Sequence, residues 1–254
     1  MNKLVVGIII AILATILGGF FLIGNKSTPS PSPELTPPQE STQTLDTTTR
    51  FSDPKKSAHY ESNTPEHGSV LAGVPINVVI NFNFDLTPPS SISITKDGKE
   101  YGIGETIIDS NKLSLRRGMD SNSLDGIYNI IYKACWPDKS CHDGNFQFKI
   151  DRRQSSVYID MTGQKQVTIN LKNIAFDPRY VKISKGTKVT WVNDDDVEHY
   201  INTDSHPAHT YYPDQNSKAL KNGDQFSLVF NQPGIYPYHC SAHADVMSAS
   251  ILVE

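Results

Sequence analysis

The chain has 254 residues, of which 37% are hydrophobic and 20% are charged, and its formal net charge is −4. This length allows one large domain or two modest ones. The slightly acidic balance gives no basic excess for holding a phosphate backbone, so we expect no nucleic-acid partner.

The first segment with a distinct character is the apolar run from Leu4 to Ile23, which contains no charged residue. A helix of about 20 residues spans about 30 Å, the thickness of the hydrocarbon core of a bilayer. The run is longer than the apolar region of a typical signal peptide, and no clear cleavage site follows it. We therefore expect residues 1–23 to form an uncleaved single-pass membrane anchor, with a cleaved signal peptide as the alternative. The flanking Lys3 and Lys26 weakly favour an extracytoplasmic location for the rest of the chain.

Residues 24–57 have the composition of a linker. Within them, the stretch 27–50 is rich in Ser, Thr and Pro and contains no aromatic residue. Such a segment cannot bury enough apolar surface to offset the entropy lost on ordering, and its prolines favour extended conformations. We expect a disordered linker that holds the folded part away from the membrane.

From about residue 58 onward the pattern is that of β-strands. Short runs such as "INVVINFNF", "YNIIYKACW" and "QVTINLKNIAF" are rich in β-branched and aromatic residues and are bounded by Gly, Pro, Asn or Asp. The Asp-Gly pair of "KDGK" at 96–99 predicts a tight hairpin. No long helical periodicity follows the anchor. The fold class is therefore predicted to be all-β, with two β-sandwich domains at residues 58–155 and 160–254.

The three cysteines indicate two different roles. Cys135 and Cys141 are close in sequence, and in an oxidising compartment we expect them to form a disulfide. A metal-binding pair or two free thiols are the competing interpretations. Cys240 is left over, and a free thiol outside the cytoplasm is a liability unless it is buried or bonded. A metal ion would resolve that liability.

The segment "YPYHCSAHADVM", residues 236–247, places Cys240, His243 and Met247 close together. A thiolate with an imidazole suits copper or zinc, and a thioether is a poor zinc ligand, so the set favours copper. His199 follows the predicted strand "KVTWVN" and could supply a second imidazole. Two histidines, a thiolate and a weak methionine make the ligand set of an electron-transfer copper site. Taken singly, each histidine would more often be a surface residue and Met247 a core residue.

Residues from about 165 to 254 resemble a cupredoxin, the plastocyanin-like blue-copper family. The resemblance is carried by "IAFDPRYVKISKGTKVTWVNDDDVEH" and "LKNGDQFSLVFNQPGIYPYHCSAHADVMSASILVE". It implies a Greek-key β-sandwich with one type 1 copper per chain. It also implies that His199, Cys240 and His243 are the equatorial ligands and that Met247 is the axial ligand.

The chain departs from the cupredoxin pattern at two positions beside these ligands. Tyr200 follows the first histidine where family members often carry Asn or Thr, and Ala249 stands where Gly is common. The first departure concerns the hydrogen bonds around the ligands and the second concerns packing. The resemblance implies one-electron transfer, with partners docking at an exposed edge of His243.

Residues from about 58 to 151 resemble the CopC-like copper-resistance domain, an immunoglobulin-like sandwich. The resemblance is carried by "HYESNTPEHGSVLAGVPINVVINFNFDL" and "LDGIYNIIYKACWPDKSCHDGNFQFKI". That family binds Cu(II) through an N-terminal histidine and an aspartate and a histidine two residues apart. His59 and Asp138 match two of these positions, whereas Ser140 stands at the third and His142 lies two residues later. A second copper site at His59, Asp138 and His142 is therefore one hypothesis, and a purely structural or docking sandwich is the favoured one.

The stretch "SHPAHTYYPD", residues 205–214, contains His206 and His209. These histidines could bind copper transiently or form a second site, but a polar loop beside the ligand loops is the favoured interpretation.

Three functions are compatible with these residues. The favoured one is a non-enzymatic, membrane-tethered, extracytoplasmic blue-copper protein that transfers single electrons to and from transient redox partners. The second is copper handling, resistance or delivery to a copper acceptor, which the CopC-like half suggests. The third is a copper enzyme, but the chain lacks the paired H-x-H elements that a multicopper oxidase needs.

Overall fold

The computed structural model describes residues 50–254, so the predicted anchor at 1–23 and most of the predicted linker lie outside the described residues. Residues 50–254 contain eighteen strands and three short 3-10 helices. No helix in this range is both long enough and apolar enough to cross a bilayer. The regular secondary structure of the described residues is therefore almost entirely β, as predicted.

Nine strands form the first sandwich. They are β1 (Tyr60–Thr64), β2 (Val70–Leu71), β3 (Asn77–Phe82), β4 (Ser91–Lys96), β5 (Lys99–Glu100), β6 (Gly102–Ile108), β7 (Ser114–Met119), β8 (Gly126–Cys135) and β9 (Cys141–Ile150). One sheet has the order β1-β3-β7-β6 and the other has the order β2-β9-β8-β4-β5.

Nine further strands form the second sandwich. They are β10 (Ile159–Asp160), β11 (Gln166–Leu171), β12 (Phe176–Asp177), β13 (Tyr180–Ile183), β14 (Lys188–Asn193), β15 (Asn202–Thr203), β16 (Gln225–Val229), β17 (Gly234–His239) and β18 (Ser248–Val253). One sheet has the order β10-β13-β18-β17-β15 and the other has the order β12-β11-β14-β16. A 3-10 helix at Arg152–Val157 lies between the two sandwiches along the chain.

The alternation read from the sequence matches the burial of side chains in both cores. In β11, Val167, Ile169 and Leu171 are buried while the residues between them are not. Successive side chains of a strand point to opposite faces, so one face of β11 packs into the core of the second sandwich. Phe176 and Trp191 lie in the same core.

The hairpin predicted at "KDGK" is present between β4 and β5. Lys96 pairs with Lys99, and both Asp97 (φ 50°) and Gly98 (φ 76°) have positive φ. A two-residue turn with positive φ at both central positions matches the right-handed twist of the flanking strands. The tight hairpin predicted from the Asp-Gly pair is therefore confirmed.

The predicted disulfide is also present. Cys135 and Cys141 are directly opposite each other where β8 and β9 meet, with their Cα atoms 4.1 Å apart. Cys240 is the remaining cysteine, and its thiol is free and buried. The cysteines therefore divide as predicted.

The two sandwiches contact each other along β17. The backbone N–H of Ile235 donates to the carbonyl of Val74 at 2.9 Å. Ile76 of the first sandwich belongs to the hydrophobic core of the second. Gly234 (φ +146°) makes this approach possible, since a Cβ atom there would lie 2.6 Å from Cγ2 of Ile76 and 3.0 Å from the Val74 carbonyl oxygen. The sandwiches are thus packed against each other, which the sequence did not indicate.

Candidate metal centre

The structure brings His199, Cys240 and His243 together. The Nδ1 atoms of the two histidines each lie 3.5 Å from the Sγ atom of Cys240. Metal–sulfur and metal–nitrogen bonds of about 2.3 Å and 2.0–2.1 Å place trigonal ligands about 3.5–3.8 Å apart. The three atoms are therefore spaced to hold one metal ion, although His199 and Cys240 are 41 positions apart in the chain.

Three loops at one end of the second sandwich position these ligands. His199 lies between β14 and β15, where its backbone exchanges two hydrogen bonds with Leu220. Cys240 follows β17 directly, and the backbone N–H of His243 donates to the Cys240 carbonyl at 2.9 Å. The N–H of Cys240 in turn donates to the Met247 carbonyl at 2.9 Å. The loop from Cys240 to Met247 is therefore closed on itself, and it returns Met247 to the cysteine.

Burial divides the four predicted ligands into three that are enclosed and one that reaches the surface. His199 and Cys240 are 0% exposed and Met247 is 1% exposed. His243 is half-buried. The three enclosed side chains are shielded from water, and His243 is the predicted ligand that reaches the surface.

Asp195 holds the far side of the His199 ring. Its Oδ2 atom lies 2.8 Å from Nε2 of His199, which leaves Nδ1 directed at Cys240. The backbone N–H groups of Asn173 and Ile174 donate to the same carboxylate. Burial raises the pKa of Asp195, but the hydrogen bonds from Ile174, His199 and Asn173 outweigh it and hold that pKa below its usual range. A carboxylate behind a ligating imidazole fixes the tautomer and the ring orientation.

Although Tyr200 departs from the cupredoxin pattern, its backbone still forms a hydrogen bond with the Cys240 sulfur. The backbone N–H of Tyr200 donates to Sγ of Cys240 at 3.3 Å. Because the donor is a backbone group, it does not depend on the identity of the side chain. Ala249 is buried in the core of the second sandwich, so this departure is indeed one of packing.

Sequence profiles of two families match this chain. The profile of copper binding proteins of the plastocyanin/azurin family matches residues 163–254, the part that contains all four predicted ligands. The profile of the CopC domain matches residues 60–151. Residues 60–151 therefore belong to the CopC domain family, and residues 163–254 belong to the plastocyanin/azurin family of copper binding proteins.

Individual proteins are also similar to parts of this chain. Amicyanin-alpha of Methylorubrum extorquens is 29% identical over 86 residues, which cover 34% of this chain and 70% of the relative. A purple cupredoxin from Nitrosopumilus maritimus is 30% identical, covering 35% of this chain and 99% of that one, with a TM-score of 0.30. CopC from Methylosinus trichosporium OB3b is 22% identical, covering 38% of this chain and 94% of that one, with a TM-score of 0.34.

In the CopC domain, the residues of the hypothetical second copper site are exposed and arranged around an aromatic side chain. The rings of His59 and His142 each lie 5.3 Å from the ring of Trp136, measured between centroids. The Asp138 carboxylate accepts hydrogen bonds from the side chain and the backbone of Ser140, which lower its pKa. Residues 50–254 contain two clusters in which ligand atoms of three His, Cys, Asp or Glu residues lie close together. Neither cluster includes His59, Asp138 or His142. Copper binding by the CopC domain stays a prediction.

A second cluster of potential ligands lies in the copper-binding domain and includes a residue that sequence reasoning missed. It consists of His206, His209 and His239. The sequence raised the first two only as an alternative to a polar loop, and His239 was not considered a ligand although it directly precedes Cys240. Burial and the neighbouring imidazoles of His239 and His206 lower the pKa of His209 to about 4, so this ring is neutral near pH 7.

Proposed function

We propose that this protein is a membrane-tethered, extracytoplasmic electron carrier with one type 1 copper held by His199, Cys240, His243 and Met247. The observation that carries the proposal is the placement of both Nδ1 atoms 3.5 Å from the Cys240 sulfur at a buried site. Membership of the C-terminal domain in the plastocyanin/azurin family supports it.

Contacts within the chain hold the predicted ligands in place. Asp195 orients His199, the Tyr200 N–H contacts the cysteine sulfur, and the backbone bond between Cys240 and Met247 closes the ligand loop. Copper bound there would carry one electron by alternating between Cu(I) and Cu(II). A rigid ligand set serves this role because little rearrangement accompanies each change of charge.

Partners would reach the site at His243. Val246, three residues further along the chain, donates its N–H to the His243 carbonyl and is 71% exposed. Val197 and Ile174 are also exposed apolar residues, and both lie in loops tied to the His199 side of the site through Asn193 and Asp195. Such apolar surface suits the small, transient interfaces of redox encounters.

The extracytoplasmic location rests on two features. The Cys135–Cys141 disulfide is typical of oxidising compartments, and the apolar run at residues 4–23 has the length of a membrane span. Removal of residues 1–26 is expected to move the protein from the membrane fraction to the soluble fraction. Equal recovery of both forms from membranes would contradict the tether.

A second candidate function is copper handling or delivery, and the CopC domain is the observation that favours it. Dissociation kinetics separate the two functions. A carrier is expected to keep its copper through repeated reduction and oxidation, whereas a delivery protein is expected to lose Cu(I) to a chelating acceptor on the same timescale.

The test is visible absorption and electron paramagnetic resonance of the full chain loaded with Cu(II). We expect an intense thiolate-to-copper charge-transfer band that disappears on one-electron reduction and returns on reoxidation. The band should be absent in Cys240→Ser. The Cys135→Ala/Cys141→Ala variant is the matched control and should keep the band. A Cu(II) form with only nitrogen and oxygen signatures, or a band that survives in Cys240→Ser, would overturn the proposal.

A further inference from the structure

The three histidines of the second sandwich that lie outside the type 1 ligand set meet on the face of β17 that is turned toward the CopC domain. Along this strand Tyr236, Tyr238 and the following Cys240 lie in the core of the second sandwich. Consecutive side chains alternate between faces, so His239 lies on the same face as Ile235, which contacts the CopC domain. His239 is nevertheless buried, with 3% of its surface exposed. A buried imidazole on this face needs a partner.

The partners of His239 are two more imidazoles. Its Nε2 atom lies 3.2 Å from Nε2 of His209. The ring of His206 is centred 5.5 Å from that of His209 and 5.3 Å from that of His239. One ligand atom from each of the three residues lies within 4.8 Å of the others.

These spacings match those of ligands on one metal ion. Metal–nitrogen bonds of about 2.0–2.1 Å in a tetrahedral site place two nitrogens about 3.3–3.4 Å apart. The His209–His239 pair already has nearly this separation. His206 is exposed, so its side chain can complete the set without disturbing the core.

The ring of His239 is oriented as metal-ligating imidazoles are. Its Nδ1 atom lies 2.9 Å from Oδ1 of Asp204, so Nδ1 is the protonated nitrogen and Nε2 presents a lone pair toward His209. Nε2 of His209 also lies 3.1 Å from Oγ of Ser241, whose hydroxyl donates to Oδ1 of Asn202 and therefore accepts from the ring. The Nε2 atoms of His239 and His209 therefore face each other, and a metal ion bound between them would replace the proton that otherwise links the two rings.

The loop that carries His206 and His209 is held by the CopC domain. Oγ of Ser205 lies 2.7 Å from Oγ of Ser62, and the hydroxyl of Thr210 donates to Oδ1 of Asn81 at 2.8 Å. Arg116 donates to the carbonyl of Thr210. The residues just before and just after the two histidines are thus anchored, which reduces the entropy that a metal ion must remove to order the loop.

We propose that His206, His209 and His239 form a second metal site that binds a divalent transition-metal ion, with Cu(II) preferred. Neutral imidazoles are borderline ligands that suit Cu(II) and Zn(II), and Cu(II) is the tighter of the two in the Irving–Williams order. The exposed side at His206 leaves room for a water molecule or an exogenous ligand. This site shares no residue with the type 1 ligand set, so it stands whether or not the electron-carrier proposal holds.

The test is titration of the metal-free full chain with Cu²⁺, followed by electron paramagnetic resonance. We expect His206→Ala/His209→Ala to bind one Cu²⁺ fewer per chain than the wild type while the thiolate band at the Cys240 site is unchanged. The lost signal should show nitrogen coupling without thiolate character. His67→Ala, which removes a histidine outside both clusters, should bind as many ions as the wild type.

Two single substitutions test the site even if the double variant misfolds. His206→Ala removes an exposed side chain and is expected to weaken the second Cu²⁺ at least tenfold. Asp204→Asn retains all three ligands and is expected to weaken it by about 10–100-fold. The proposal is overturned if the double variant binds as many Cu²⁺ ions per chain as the wild type. It is also overturned if His67→Ala loses as many bound ions as the double variant loses. Absence of the thiolate band from the Cu²⁺-loaded wild type would instead contradict only the electron-carrier proposal.

Discussion

His239 and Cys240 are consecutive residues whose side chains belong to two different clusters of candidate metal ligands. Cys240 lies beside His199 and His243, whereas His239 lies beside His206 and His209. The alternation of side chains along an extended strand separates them. If each cluster held an ion, the covalent path between the two ions would run through only His239 and Cys240.

Met247→Leu tests the axial role of the methionine. Leucine preserves the volume of this buried residue but removes the thioether, a weak donor that stabilises Cu(II) more than Cu(I). We expect the thiolate band to remain and the reduction potential to rise by on the order of 60 mV, a tenfold change in a one-electron equilibrium. Voltammetry measures this change, and Met161→Leu, at a half-buried methionine beside the same core, is the control. An unchanged potential would exclude Met247 as a ligand.

Asp195→Asn tests the carboxylate behind His199. An amide cannot reproduce the charge that holds the His199 ring, so we expect copper affinity to fall by about 10–100-fold. Competition with a chelator of known affinity measures the loss. Asp196→Asn removes the neighbouring exposed carboxylate and should leave affinity unchanged. Equal affinities for the two variants would show that Asp195 does not position His199.

Tyr211→Phe tests the contact between the two domains. The buried Tyr211 hydroxyl accepts from the Ile76 N–H and donates to the Ile235 carbonyl, each at 2.8 Å. Its removal leaves two buried backbone groups without this partner, so the free energy of unfolding should fall by about 1–3 kcal/mol. Urea denaturation measures the change. Tyr212→Phe, at a half-buried position, should change it by less than about 0.5 kcal/mol, and similar values for both variants would contradict this role.

Cys135→Ala/Cys141→Ala tests the disulfide of the CopC domain. The bridge joins cysteines only six positions apart, so it restricts the unfolded chain modestly and should contribute about 2 kcal/mol. We expect this loss in the free energy of unfolding, measured by denaturant titration. Adding a reductant should destabilise the wild type by a similar amount and leave the variant unchanged. A reductant effect on the variant would point to another source of the loss.

The local patterns of the sequence predicted most of the fold. Alternation at Val167, Ile169 and Leu171 indicated a half-buried strand, and the Asp-Gly pair at 97–98 indicated a hairpin. The short strands β2, β10 and β15 carried no such signal, because two residues cannot display a period. They are held by pairing with neighbours that are distant in sequence.

The sequence by itself predicted the ligand types of the site around Cys240, because Cys240, His243 and Met247 lie on one short loop and their residue types are local information. Tertiary structure alone decided that His206 and His209 meet His239. That meeting depends on strand alternation at β17 and on hydrogen bonds from the CopC domain to Ser205 and Thr210. Contacts of this kind join residues more than 120 positions apart, and no spacing rule along the chain encodes them.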